Sequence, residues 1–222
     1  MSSRRAESFS DGVFAVAITV LVFNLLPIAD KTASFLSVTG HGGQPGLAHY
    51  WPAYLAYVLS FLTIGIMWLN HHTILAQVTK VDRPLLVLNL FLLMGIVAIP
   101  FPTALVADHV TASDGGGGQA TVAAVTYGLV MIAIGLSFGS MWIYITLHLE
   151  QLGGRRRTAV GRISTLRFVS GNAGYIAGTL IALVSPVTAL IIFLLLAVYY
   201  LFEQLPDPAS DNAESEGEGE TG

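Results

Sequence analysis

The sequence predicts an all-α, polytopic membrane protein with six transmembrane helices. Three observations predict it. Of 222 residues, 54% are hydrophobic and only 11% charged, with mean hydropathy +0.69, whereas a soluble domain carries about a quarter charged residues. Apolar runs of roughly sixteen residues or more recur between short polar links. The basic residues fall on alternate links, as orientation by positive charge requires.

The first element, Arg5 to Ile28, enters carrying an arginine, two serines and an aspartate, then turns almost wholly apolar. Val13 to Ile28 gives about 24 Å of helix, short of a hydrocarbon core of about 30 Å, so Phe9-Ser10-Asp11 is expected at membrane depth too. A carboxylate there needs a partner. Ser8 to Asp11 also fits a capping pattern, so Asp11 is either a helix cap or part of a buried polar network. Arg5 lies six residues from Asp11, about 240° around one helix, so any pairing between them has to involve another helix or subunit.

A loop runs to about Ala48, and Tyr50 to Leu69 is the second segment, leaving the membrane through Trp68-Leu69-Asn70-His71-His72. Leu85 to Ala107 is the third, with Asn89 near its start and Pro100-Phe101-Pro102 expected to kink or end it. After a loop containing Gly115 to Gly118, Ala120 to Leu147 is long enough to tilt or project. Ile163 to Val184 carries Ser170, Gly174, Gly178 and Ala182 on one face, a ladder that lets helices approach closely, within or between subunits. Pro186 ends it, and Val187 to Phe202 is the sixth.

Residues 1–203 therefore read as one transmembrane domain and 204–222 as an acidic, disordered cytoplasmic tail. Seven of the fourteen acids lie from Glu203 onward, so the body is basic although the chain is formally −4. No cleavage site follows the first apolar run, which is expected to remain as the first helix. With the N-terminus inside, Arg4, Arg5, Lys80, Arg83, Arg155, Arg156, Arg157, Arg162 and Arg167 are cytoplasmic and only Lys31 is outside. This predicts a multi-pass protein of the plasma membrane with both termini in the cytoplasm.

The absence of cysteine excludes disulfides and thiolate chemistry. His71 and His72 point about 100° apart on a helix and chelate one ion poorly, so no metal is expected. Their expected roles are an interfacial polar cap or hydrogen bonding to Asp11 or Ser10. Arg155 to Arg157 either set topology or meet anionic lipid. No catalytic triad, phosphate loop, nucleotide fingerprint or G-Y-G filter is present, and no cofactor or nucleic-acid partner is expected.

Arg5, Phe9, Ser10 and Asp11 match an R-x-x-x-F-S-D signature. Trp68, His71 and His72 match a second-helix W-x-x-H-H, and Asn89 to Leu93 with Pro100 to Thr103 follow a third-helix pattern. These three motifs, in order, resemble the prokaryotic TMEM175 family from Arg5 to about Phe202. The resemblance implies a potassium-permeable channel, homotetrameric, with its central pore lined by the first helix and narrowed by apolar side chains rather than carbonyls. The matching positions are Val16, Val20 and Phe23, with Thr19 supplying a hydroxyl ring, and permeant K⁺ and membrane lipid as the partners besides the chain itself. Offsets of 0, 4 and 7 do share one helical face, although an ordinary packing stripe has the same spacing. Arg5, Phe9, Ser10, Asp11, Trp68, Asn70, His71, His72 and Asn89 are expected to form a structural polar network at the cytoplasmic side, with Asp11 and Ser10 held by His71, His72, Asn70 or Asn89 and Arg5 nearby.

Two other readings compete. A proton-coupled transporter would use Asp11 with His71 or His72, but it predicts inverted repeats or midplane charge, and neither is evident. A membrane-embedded enzyme lacks a convergent catalytic set.

Overall fold

Ala6, Ser10, Phe14, Ala17 and Leu21 recur at spacings of three and four, and all five side chains are buried. That periodicity defines one face of a helix, and in the computed structural model helix α1 runs from Ser3 to Val20. Residues 2–26, 51–109, 118–154 and 158–202 are described. A tighter 3₁₀ segment, Leu21–Leu25, continues α1. The two together span about 37 Å, enough to cross a bilayer core of about 30 Å without help from the loop beyond.

The early start of α1 corrects the capping alternative. The cap position is Ser2, without a side-chain cap bond. Ser8 and Ser10 instead turn their hydroxyls back to the carbonyls of Arg4 and Ala6, each at 2.9 Å. Asp11 is thus well inside the helix, where it caps nothing.

Helix α2, Trp51–Leu75, extends past the expected exit at Leu69, so His71 and His72 are helical. Asp82 begins α3, Arg83–Ala98, by accepting the Leu85 N–H at 3.1 Å, with proline in the first turn where no donor is needed. The expected break falls at Ile99, because neither Pro100 nor Pro102 can donate to the preceding turn, and α4 continues as Pro100–His109. Helices α5, Gly118–His148, α6, Thr158–Ala182, and α7, Pro186–Phe202, complete the fold. Ser185 precedes α7 and accepts the Thr188 N–H.

Among the described residues every regular element is helical. Four stretches, Ser3–Leu25, Ala53–Leu75, Arg83–His109 and Gly118–His148, are long and apolar enough to cross a membrane, and Pro186–Tyr200 is a shorter apolar helix. The loop containing Lys31, residues 110–117, Arg155 to Arg157 and the acidic tail lie outside the described residues, as do the side chains of Arg162 and Arg167.

Helix α5 packs against α3, α4, α6 and α7, while α1 packs against α2 and α3. The small-residue ladder is spent inside the chain. A Cβ on Gly174 would lie 2.9 Å from Leu196, and one on Gly178 only 2.6 Å from Phe193, so the ladder seats α7. At the foot of the bundle the Leu152 carbonyl accepts the N–H groups of Thr79 and Lys80, both at 3.1 Å. Gly153, at φ 73°, makes the accompanying left-handed turn.

Candidate pore helix and its polar anchor

The two faces of α1 differ in kind. Opposite the buried stripe, Phe9, Gly12, Val16, Thr19, Phe23 and Leu26 are exposed, and none carries a charge. Val16 is 57% and Phe23 60% exposed. Val20 is only half-buried, so the stripe is centred nearer Thr19 than the 0, 4, 7 spacing of Val16, Val20 and Phe23 suggested. Tighter winding after Val20 brings Val22 onto the same stripe beside Phe23. Thr19 donates its hydroxyl to the Val16 carbonyl at 2.9 Å, which leaves its oxygen lone pairs unspent. Phe14 and Leu21 are buried, and Ile18 packs against the core.

The buried face is held by polar rungs from α2 and α3. Ser10, His71 and Asn89 are all buried. The Ala6 carbonyl can only accept, so the Ser10 hydroxyl donates to it and must accept from Asn89 Nδ2, at 3.0 Å. That leaves Asn89 Oδ1 to accept from His71 Nε2, at 2.8 Å. The order of donors therefore requires a proton on His71 Nε2. Phe14 packs on that ring, with centroids 5.4 Å apart.

Two further rungs lie toward the surface. Trp68 Nε1 donates to Asp11 Oδ1 at 2.8 Å, and His72 Nδ1 meets Glu7 Oε1 at 2.5 Å. Residues 7, 10, 11 and 14 share one face of α1, and residues 68, 71 and 72 share one face of α2. The contacts are thus the meeting of two complementary stripes.

The structure brings together Ser10, Asp11, Trp68, His71, His72 and Asn89. Asp11 takes Trp68, not a histidine or asparagine, and His72 takes Glu7, which the sequence reading passed over. Glu7 stands one turn before Asp11 on the same face, the one sequence signal that pointed to it. Asn70 is directed elsewhere, lining a cavity with Thr63, Met67 and Asn172. Arg5 and Phe9 are exposed and take no part in these bonds. Adjacent on the chain, His71 and His72 have separate partners and do not converge on one ion. Among the described residues no group of three or more His, Asp or Glu is placed to hold a metal.

The far end of α1 is tied as well. Asn24 Nδ2 donates to the Pro100 carbonyl at 3.0 Å. Thr103 bonds back to Ile99 O and meets Ser60 Oγ, both at 2.8 Å, so the break in the third span is pinned to α1 and to α2.

Four helices long and apolar enough to cross a membrane, the first anchored along one face and bare along an uncharged stripe on the other, define a polytopic helical membrane protein. The family described as the endosomal/lysosomal potassium channel TMEM175 matches residues 5–100. A potassium channel of Streptomyces collinus is 41% identical over 213 residues, 95% of this chain and 97% of the relative. The chain belongs to the TMEM175 family. The crystal structure of a homologue, from Chamaesiphon minutus, of the lysosomal potassium-selective channel TMEM175 superposes with TM-score 0.71 at 30% identity. It covers 89% of this chain and 95% of that one. The endosomal/lysosomal proton channel TMEM175 of Gallus gallus is 35% identical over 109 residues, 49% of this chain but 22% of that protein.

Proposed function

We propose that this chain is one subunit of a potassium-permeable cation channel, in which four copies place their first helices around a central axis. The observation that carries the reading is the uncharged, exposed stripe through Val16, Thr19 and Phe23 on a helix whose other face is fixed to α2 and α3. One such stripe cannot enclose a pore, and several around an axis can. The relatives named as potassium channels supply the ion. Val16 and Phe23, with Val20 at the flank, form the hydrophobic constriction, and Thr19 offers a ring of hydroxyl oxygens between them.

Each subunit crosses the plasma membrane six times with both termini in the cytoplasm, as the nine-to-one distribution of basic residues supports. Residues 204–222 form the cytoplasmic acidic tail. Ser10, Asp11, Trp68, His71, His72 and Asn89, together with Glu7, are the scaffold that sets the rotation of α1. None of them lies on the stripe. The geometry does not favour a proton-coupled transporter, because Asp11 is bonded to Trp68 and the Nε2 proton of His71 to Asn89.

Recording from purified protein in liposomes tests the proposal. A channel gives current that reverses near the K⁺ equilibrium potential and needs no second ion gradient. Current that vanishes without a proton gradient would favour the transporter. Native mass measurement in mild detergent should report four copies, and a conducting monomer would refute the assembly.

A further inference from the structure

Helices α2, α5, α6 and α7 line a half-open cavity of about 80 Å³. Two of the polar atoms on its lining residues, Thr63 Oγ1 and Asn172 Oδ1, are buried without a well-formed hydrogen bond, the nearest candidate for Thr63 being the buried Tyr127 hydroxyl. Thr63 is 4% exposed. A buried polar group left unpaired costs about 1–3 kcal/mol, and two such groups on residues that line one cavity point to an absent partner.

Glycines make room for the polar tips. Asn172 Oδ1 lies against Gly135 where a Cβ would stand, and the Tyr200 hydroxyl lies against Gly171 in the same way. The remaining wall is mostly hydrocarbon and thioether, including Ile66, Met131 and Phe138.

We infer that this cavity is a binding site for a small neutral molecule that joins a hydroxyl donor to a short hydrocarbon body, as an aliphatic alcohol of about four carbons does. Asn172 Oδ1 can only accept, so the ligand must donate. The Thr63 hydroxyl can donate or accept and therefore complements the same oxygen. Among the described residues no charged side chain lines the cavity, so an ion would lose its hydration for too few polar contacts. At about 30 Å³ per water the space would hold two or three waters, each needing two to four polar partners. The wall offers hydrocarbon over most of its area, which suits a hydrocarbon body better than a water cluster. The cavity shares α2 with the pore-helix anchor, since Asn70 lines the one and His71 belongs to the other.

Photolabelling with a diazirine-bearing butanol, on the purified full chain in mild detergent, tests the site independently of conduction. Adducts are expected on cavity residues such as Met67 or Tyr175. An excess of 1-butanol should protect them at least about five-fold better than n-pentane of similar size. Thr63→Val and Asn172→Leu preserve shape and remove the polar atoms, and together they should bring that ratio to about one. Thr63→Val alone, the milder change, should lower it at least about two-fold, and melting of each variant reports whether it is folded. Adducts only outside the cavity, equal protection by the alkane in the parent, or a ratio unchanged in the folded variants would each overturn the inference.

Discussion

Asn24 and Pro100, 76 positions apart, are joined by one hydrogen bond from the asparagine amide to the proline carbonyl. It connects the 3₁₀ end of α1 to the break in the third span, the two places where regular winding is interrupted. Val22 and Phe23 stand on the exposed side of that same 3₁₀ segment. The bond therefore bears on how the far end of the proposed pore wall is oriented.

Asn24→Leu keeps approximate shape and removes this bond. Hydrogen bonds between membrane helices contribute about 0.6 kcal/mol on average and up to about 1.7, so a loss of about 1 kcal/mol is expected in reversible unfolding. Val22→Ala, exposed two residues away, serves as the control and should change stability little. An Asn24→Leu protein as stable as its parent would show that the tie contributes nothing.

The chain from His71 through Asn89 and Ser10 to Ala6 predicts an order of severity. Asn89→Ala orphans the buried His71 Nε2 proton and also empties space between three helices. Ser10→Ala orphans only one amide proton of Asn89. Each buried group left unpaired costs about 1–3 kcal/mol, so Asn89→Ala should destabilise more. Equal losses would contradict the donor order. An independent check is ¹⁵N spectroscopy of histidine-labelled protein, where His71 Nε2 should carry a proton. A ring protonated on Nδ1 alone would reverse the chain.

Asp11 and Trp68 make the clearest double-mutant cycle, because only one bond joins them. Asp11→Asn can retain an acceptor oxygen and should fold and assemble nearly as well as the parent. Asp11→Ala and Trp68→Phe should each lose the bond to a carboxylate, worth about 1.5–3 kcal/mol at most. The combined variant should be little worse than either alone. Fully additive losses would mean that the two residues act separately.

Much of this architecture was legible from local chemistry. Apolar runs mark the spans, and Pro100, Pro102 and Pro186 mark a break and a start because proline cannot donate. What escaped the sequence depends on which way a helix is turned. A serine followed by an aspartate at Ser8 to Asp11 looks like a cap until the Trp68 indole, 57 residues away, is seen to bind Asp11. Asn70 and His71 are neighbours in the chain yet face different sides of α2. The ladder at Gly174 and Gly178 has the same spacing whether it meets another subunit or, as here, Leu196 and Phe193. The change to 3₁₀ winding after Val20 has no signal in the residue pattern, and helical spacing alone does not place Val22 beside Phe23.

The exposed stripe makes the sharpest functional prediction. A narrow ring of apolar side chains can lose its water and stop ions without any charged barrier. Val16→Asn adds hydrogen-bonding capacity without charge, so it should hydrate the constriction and raise basal current at least several-fold. Thr19→Val should reduce conduction, because it removes the hydroxyl oxygens that face outward between Val16 and Phe23. Val20→Asn should act more weakly than Val16→Asn, since Val20 sits at the flank of the stripe. Phe14→Asn and Ile18→Asn test the opposite side: Phe14 is buried against His71 and Ile18 packs on the core, so these changes should lower stability and assembly instead of opening the pore. Single-channel recording distinguishes the outcomes, because a wider gate changes the open-channel current or open probability while poor assembly only lowers the number of channels. If Ile18→Asn opens a well-assembled channel and Val16→Asn leaves conduction unchanged, α1 is rotated in the assembly and a different face lines the pore.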